Sequence, residues 1–412
     1  MAYDVYGVRG LYTSLSDGWT YLNAHDCPQV PERVASAVAR SFRVASAVVQ
    51  PEPGAGSHAR GGVGAPEAHA LLSDAKAAVA DLVGASQDRV VLGPSLQSLY
   101  AALRAAMRPM FRHGSTMVLN NVDRPELTAA LGRAEADVRW AQADLGTGEL
   151  PAWQFKELIG GTVRLVSIPA AHPLLGNVVP VAEIVDYVRE LSRAWVVVDA
   201  SVYAAYRPVT FDEWGADVVA VDVKELGGPE IAALVFRDEA MFGRMEALGL
   251  DVAGGGKLAQ RVSPGLAGGV SAAVEHYASL ADVTPKGRST RRSRLLASMA
   301  ETRSYLNGLR DDLHTFLSTL PAVHIVGLSG EAADGALADR VPRLTFGVMG
   351  VPSSTVYQRL FANGIIATET PMSPLLVDMG APELGGAVTV SLGPFNTAAD
   401  VDQLIRTVAS LA

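Results

Sequence analysis

Residues 196–237 read VVVDASVYAAYRPVTFDEWGADVVAVDVKELGGPEIAALVFR. The runs VVVD, ADVVAVDV and EIAALVFR are short, dense in Val, Ile, Leu and Ala, and of strand length. They are apolar at nearly every position rather than at every second one, which predicts burial on both faces, as in a parallel sheet. The first run ends on Asp199, at the edge where open α/β sheets place their ligands. A carboxylate is costly to bury alone, so Asp199 is expected to face a cationic or hydrogen-bonding group, either a ligand or an arginine. The second run ends on Asp222, followed by Lys224, Glu225 and the turn Gly227-Gly228-Pro229.

The alternation continues upstream. AHALLSDAKAAVADLVGA and SLQSLYAALRAAMRPMF carry apolar residues at helical spacing beside the short strands DRVVLG and STMVLNN. ELTAALGRA, ADVRWAQAD, TVRLVSIPA and VAEIVDYVRELSRA then read as helix, strand, strand and helix. Strands separated by helices predict an α/β fold with a mainly parallel sheet covered on both faces. QPEPGAGSHARGGVGAPE is too rich in Gly and Pro for regular structure. Downstream the pattern changes near residue 285. TRRSRLLASMAETRSYLNGLRDDLHTFLSTL reads as one long helix, and VHIVGL, RLTFGVM, GIIATE and AVTVSLG supply strands, with helices at STVYQRLFANG and AADVDQLIRTVASL. The expected organisation is an N-terminal segment 1–35 packing with the small domain, a large domain 36–285 and a small C-terminal α/β domain 286–412.

Composition narrows the function classes. With 412 residues, 49% hydrophobic and 19% charged, the chain can bury a large core. A net charge of -9 argues against a nucleic-acid or anionic-membrane partner, since either needs a basic face. No apolar run approaches the roughly 20 residues that span a bilayer, and MAYDVYGVRG lacks the apolar core of a signal peptide, so a cytoplasmic location is expected. The single cysteine, Cys27, excludes an intramolecular disulfide, and a small packing role is expected for it. The eight histidines show no metal spacing; no metal site is expected, and each is read as surface or packing. LGPSLQS, residues 92–98, lies at a strand-to-helix junction that suits a phosphate, although an ordinary cap by Ser95 is the preferred local reading.

Together these pieces resemble the class V aminotransferase and cysteine-desulfurase-like proteins of the pyridoxal-phosphate fold type I group. The resemblance runs from VRGLYTSLSDGWTYLNAHDCPQVP through DLVGASQDRVVLGPSLQSL and ADLGTGELPAWQFKELI. It is densest over residues 196–237 and closes at AVTVSLGPFNTAADVDQLI. It implies a large domain built on a seven-stranded-type, mainly parallel sheet, with a smaller α/β domain. It also implies a homodimer with pockets at the subunit boundary, and pyridoxal phosphate as cofactor.

Position by position, the resemblance implies a changed pocket. Asp199 matches the aspartate of the pyridine nitrogen. With the Gly228-Pro229 turn in register, the Schiff-base lysine falls on Glu225, and Lys224 stands one residue before it. On a strand such a step turns the side chain to the other face. The family's phosphate-binding serine becomes Asp222, and the stacking histidine falls on or beside Asp123-Arg124. Val202, Pro173 and Thr389 replace further pocket residues, and KLAQRVSPGLAGG has no phosphate-capping match. The pocket positions are therefore Ser95, Arg124, Asp199, Asp222 and Glu225. No cofactor is expected in ordinary Schiff-base form, and Lys224 is expected to pair with Asp222 or Glu225. The expected protein is a non-catalytic or diverged relative binding an unknown small polar ligand. The alternative is an active pyridoxal-phosphate lyase or transferase using Lys224.

Overall fold

The computed structural model describes residues 3–50, 63–132, 136–245, 258, 260–282, 289–327 and 339–411. Most of the Gly/Pro-rich tract, the expected division near residue 285, and Lys257 and Lys286 lie outside the described residues.

A short strand, β1 (Thr20–Tyr21), precedes the large sheet. That sheet contains β2 (Val90–Gly93), β3 (Thr116–Asn120), β4 (Asp137–Ala141), β5 (Val163–Pro169), β6 (Trp195–Asp199), β7 (Val218–Asp222) and β8 (Ala232–Phe236). Its order is β2-β8-β7-β6-β5-β3-β4. β8 runs antiparallel to both neighbours and every other pairing is parallel, so the expected mainly parallel, seven-stranded α/β sheet is present. Every residue of β6 is buried, as its unbroken apolar run requires. The helices Leu96–Ala106 and Val181–Leu191 supply buried leucine, valine and isoleucine side chains to that packing.

A second sheet holds β9 (Val323–Ile325), β10 (Arg343–Val348), β12 (Thr368–Glu369) and β13 (Val388–Ser391) in the order β12-β13-β10-β9, all antiparallel. β11 (Ile365–Ile366) pairs instead with β1, in parallel. GIIATE is thus two strands rather than the single one expected. Thr20 and Tyr21 pair with its first half, and Thr389 and Val388 with its second. The long helix is present as Arg291–Ser318, opened by a capping box at Thr290 and Ser293.

Two of the longer helices, Glu32–Val44 and Pro264–Tyr277, have no counterpart in the sequence reading. Pro264–Tyr277 carries three glycines in PGLAGGVS, which blur its periodicity, yet it packs closely on the helices Glu32–Val44 and Glu67–Val83. A side chain at Gly268 would collide with the Ser41 hydroxyl, so absence of a Cβ is what permits the approach.

The Gly227-Gly228-Pro229 turn closes a tight 3₁₀ turn, Val223–Leu226. Gly227 has φ +67, and a Cβ there would lie 2.4 Å from the Gln29 carbonyl oxygen. The turn is thus packed at Gly227 against Gln29 and Pro31 of the N-terminal segment.

Candidate functional site

The C-terminal ends of β3, β6 and β7 deliver Asn120, Asp199 and Asp222 to one edge of the large sheet. Beside that edge lies a cleft of about 910 Å³, lined from the large sheet by Asp123, Arg124, Asp222, Lys224 and Glu225. Arg343 of β10 and the segment 371–375 close it from the second sheet, and His25 from the N-terminal segment.

Asp199 is almost fully buried and has three donors. Arg124 Nη2 donates to its Oδ2 at 2.6 Å, and the Ser201 backbone N–H and hydroxyl donate to its Oδ1 at 3.0 and 2.5 Å. Ser201 Oγ also accepts from the Asp222 N–H at 2.8 Å, tying β6 to β7. Of the two partners expected for Asp199, the structure supplies the arginine. Burial opposes the charge on Arg124, but the Asp199, Glu225 and Asp123 carboxylates together outweigh it and hold the guanidinium above its ordinary range.

Glu225 makes an ion pair with Arg343, Nη2 to Oε2 at 2.6 Å, and Arg343 Nη1 donates to the Pro173 carbonyl at 2.8 Å. Arg343 is 2% exposed and its guanidinium lies 5.5 Å from the Tyr206 ring centre. The expected pairing of Lys224 with Asp222 or Glu225 is therefore corrected. Among the described residues Lys224 has no ion pair; its backbone N–H, not its ammonium, donates to Asp222 Oδ1. The expected change of face is corrected as well. Residues 223–226 form a 3₁₀ turn rather than a strand extension, and both Lys224 and Glu225 line the cleft.

Asp123 is buried beside Asp199. Its Oδ1 accepts from the Arg124 N–H at 2.8 Å, whereas Oδ2 is buried without a partner. Desolvation, with the nearby Asp199 charge, pushes its pKa up to about 7. Desolvation also raises Asp222, to about 6, despite the Lys224 N–H. His25 and His172 are both driven down to about 3, chiefly by burial and then by nearby arginines, and stay neutral. His172 Nδ1 accepts from the N–H groups of Leu174 and Leu175, each at 3.0 Å, which places its ring proton on Nε2. Buried polar atoms without partners include His25 Nε2, Asp123 Oδ2, Arg124 Nε and Arg343 Nε, all on cleft-lining residues. Each unmet group costs about 1–3 kcal/mol, so a polar ligand or water is the natural counterpart.

Ser95 is not brought to this cleft. It is exposed and caps the helix Leu96–Ala106, its Oγ accepting from the Ser98 N–H at 3.2 Å. Thr389 is fully buried, hydrogen-bonded to Thr345 and Thr370 at 2.8 and 2.9 Å. Val202 packs in the core between the sheets. Cys27 is exposed, against the expected packing role, because it lies in a turn beyond β1. No cluster of metal-ligating side chains occurs among the described residues, and none of the helices described is long and apolar enough to cross a membrane.

A model of the family described as aminotransferase class-V matches residues 21–404. The chain belongs to the class V aminotransferase family. Pyridoxal phosphate is that family's cofactor. An uncharacterized protein of Mycobacterium tuberculosis is 37% identical to this class V aminotransferase-family chain over the full length of both. An aminotransferase-like protein of Gibberella zeae is 27% identical over 82% of each chain. The fold is that of cysteine desulfurases. Those of Escherichia coli (TM-score 0.77, 19% identity, 99% of this chain and 98% of that one) and Thermococcus onnurineus NA1 (0.78, 18%, 100% and 98%) superpose on essentially the whole chain.

Sequence reasoning missed Arg343, His25 and His172. A signal existed for Arg343: it opens RLTFGV, a strand buried at every position, and a buried guanidinium requires a partner. For His25 no local signal existed, whereas His172 stands beside Pro173, a position the resemblance had already placed in the pocket.

Proposed function

We propose that this class V aminotransferase-family protein has given up ordinary pyridoxal-phosphate chemistry and uses the family cleft to bind a small polar molecule. The cofactor requires an amine for its aldehyde, an acid free to meet its ring nitrogen, and donors for its phosphate. The observation that carries the reading is the Arg124–Asp199 pair at 2.6 Å: the acid already has a guanidinium where the pyridinium is needed. Glu225 holds the lysine's register and is bound by Arg343. Asp222 stands where a phosphate donor is required, and the Ser95 hydroxyl serves its helix cap. The residues present do not fit the cofactor in its usual linkage. What the cleft offers instead is buried cations and neutral imidazoles for an acceptor, and Asp123 for a donor.

A second reading rests on one observation: Lys224 lines the same cleft with no ion pair among the described residues, which leaves its amine available to a ligand. The separating experiment is incubation with pyridoxal phosphate, borohydride reduction and peptide mapping of the five lysines. The first reading expects no stoichiometric adduct; a full adduct on Lys224 overturns it. The proposal also takes the protein to be a cytoplasmic homodimer divided near residue 285, which light scattering and limited proteolysis check.

A further inference from the structure

A second recess lies at the opposite end of the large sheet, where its parallel strands begin. It measures about 760 Å³ and is lined by Arg112, Arg164, Arg189, Arg193 and Arg244, with Glu190 the only acid among the described lining residues. Arg112 stands ahead of β3, Arg164 is the second residue of β5, Arg189 and Arg193 lead into β6, and Arg244 follows β8. Because β8 is antiparallel, its end returns to the same edge. A chain of net charge -9 thus gathers five guanidiniums on one concave surface.

Structural duty accounts for only part of this. Arg189 is committed: it donates to the carbonyls of Ala194 and Gly215 and pairs with Asp217 at 2.7 Å. Arg164 uses Nη1 on the carbonyls of Gly161 and Val163. Arg244 lies 5.6 Å from the Trp195 ring centre, a contact that does not itself use up its N–H groups. Arg112 and Arg193 are exposed and their guanidiniums make no hydrogen bond or ion pair among the described residues. Like charges drawn together without counter-ions repel, and a multiply charged anion relieves that repulsion through charge-assisted, bidentate bonds. The volume falls in the small-molecule range, which favours a compact ligand over an extended acidic chain.

We propose that this recess is a binding site for a small oligophosphate, separate from the cleft at the other edge of the sheet. Arg112 and Arg193 grip it, and Arg164 and Arg244 complete the cradle. The test is calorimetric titration of the full-length protein with tripolyphosphate, with ATP and citrate as parallel arms at matched ionic strength. Saturable binding at one site per chain is expected, weakened roughly tenfold in an Arg112→Ala/Arg193→Ala double variant. Lys224→Ala, which alters the other cleft, leaves it unchanged. ATP binding tighter than tripolyphosphate assigns the site to nucleotides, and equal binding assigns it to the phosphate chain alone. Absence of saturable binding overturns the proposal. So does citrate binding as tightly, or a loss seen in Lys224→Ala and not in the double variant. Neither guanidinium has a partner among the described residues, so the double variant should melt with the parent protein, and that comparison separates lost binding from lost folding.

Discussion

Arg124 and Asp199 are 75 residues apart in the chain and meet at 2.6 Å, the guanidinium of a loop after β3 closing over the carboxylate that ends β6. On the function proposed above, the pair fills the spot that the family's ring-nitrogen acid would need free; Asp199 itself is 3% exposed.

Removing one partner should show this. Arg124→Ala strands a carboxylate that is 3% exposed, and the expected cost is roughly 3–5 kcal/mol of stability. Adding Asp199→Asn removes the orphaned charge, so the double variant should be more stable than Arg124→Ala alone. Urea denaturation of both variants checks the order; strictly additive losses would contradict an ion pair.

In the register implied by the family resemblance, Glu225→Lys would supply the amine, yet on the proposed function it should not restore cofactor binding. The new ammonium faces Arg343, itself 2% exposed and then without its anion. The variant is expected to lose roughly 3–5 kcal/mol, well beyond Glu225→Gln, which keeps a hydrogen-bond acceptor. Denaturation midpoints test the ranking, and a soluble, stable Glu225→Lys protein with a visible aldimine band would refute it.

Asp123 predicts a pH dependence with a definite sign. Its folded pKa, about 7, lies above the ordinary aspartate value. Its contribution to stability is therefore fully present below about pH 4 and is lost as pH rises through 7. Asp123→Asn keeps the bond to the Arg124 N–H and has no proton to lose. Relative to the parent protein it should gain stability from pH 4 to pH 8, a trend read from paired thermal melts.

Lys224→Ala should be nearly silent, within about 0.5 kcal/mol, because the side chain is exposed and has no ion pair among the described residues. Gly227→Ala in the same turn should not be. Its φ of +67 and the Gln29 carbonyl 2.4 Å from the added carbon predict a loss of at least about 1 kcal/mol in chemical denaturation.

The fold was largely written in local pattern. The all-apolar runs at Trp195–Asp199, Val218–Asp222 and Ala232–Phe236 required burial on both faces, and they lie side by side in the large sheet. Where small residues blur periodicity, as in the helix Pro264–Tyr277, the pattern failed, because close helix contact there depends on what the neighbouring helix presents.

The sequence by itself determined which chemical groups stand at Asp199, Asp222, Lys224 and Glu225, since covalent order alone sets their spacing ahead of the Gly228-Pro229 turn. Only the tertiary structure decided their partners. Arg343 reaches Glu225 from 118 residues away, and Lys224, adjacent to two acids in the chain, pairs with neither. A buried charge is matched by whichever opposite charge the packing brings within reach, and packing joins segments that chain order keeps apart.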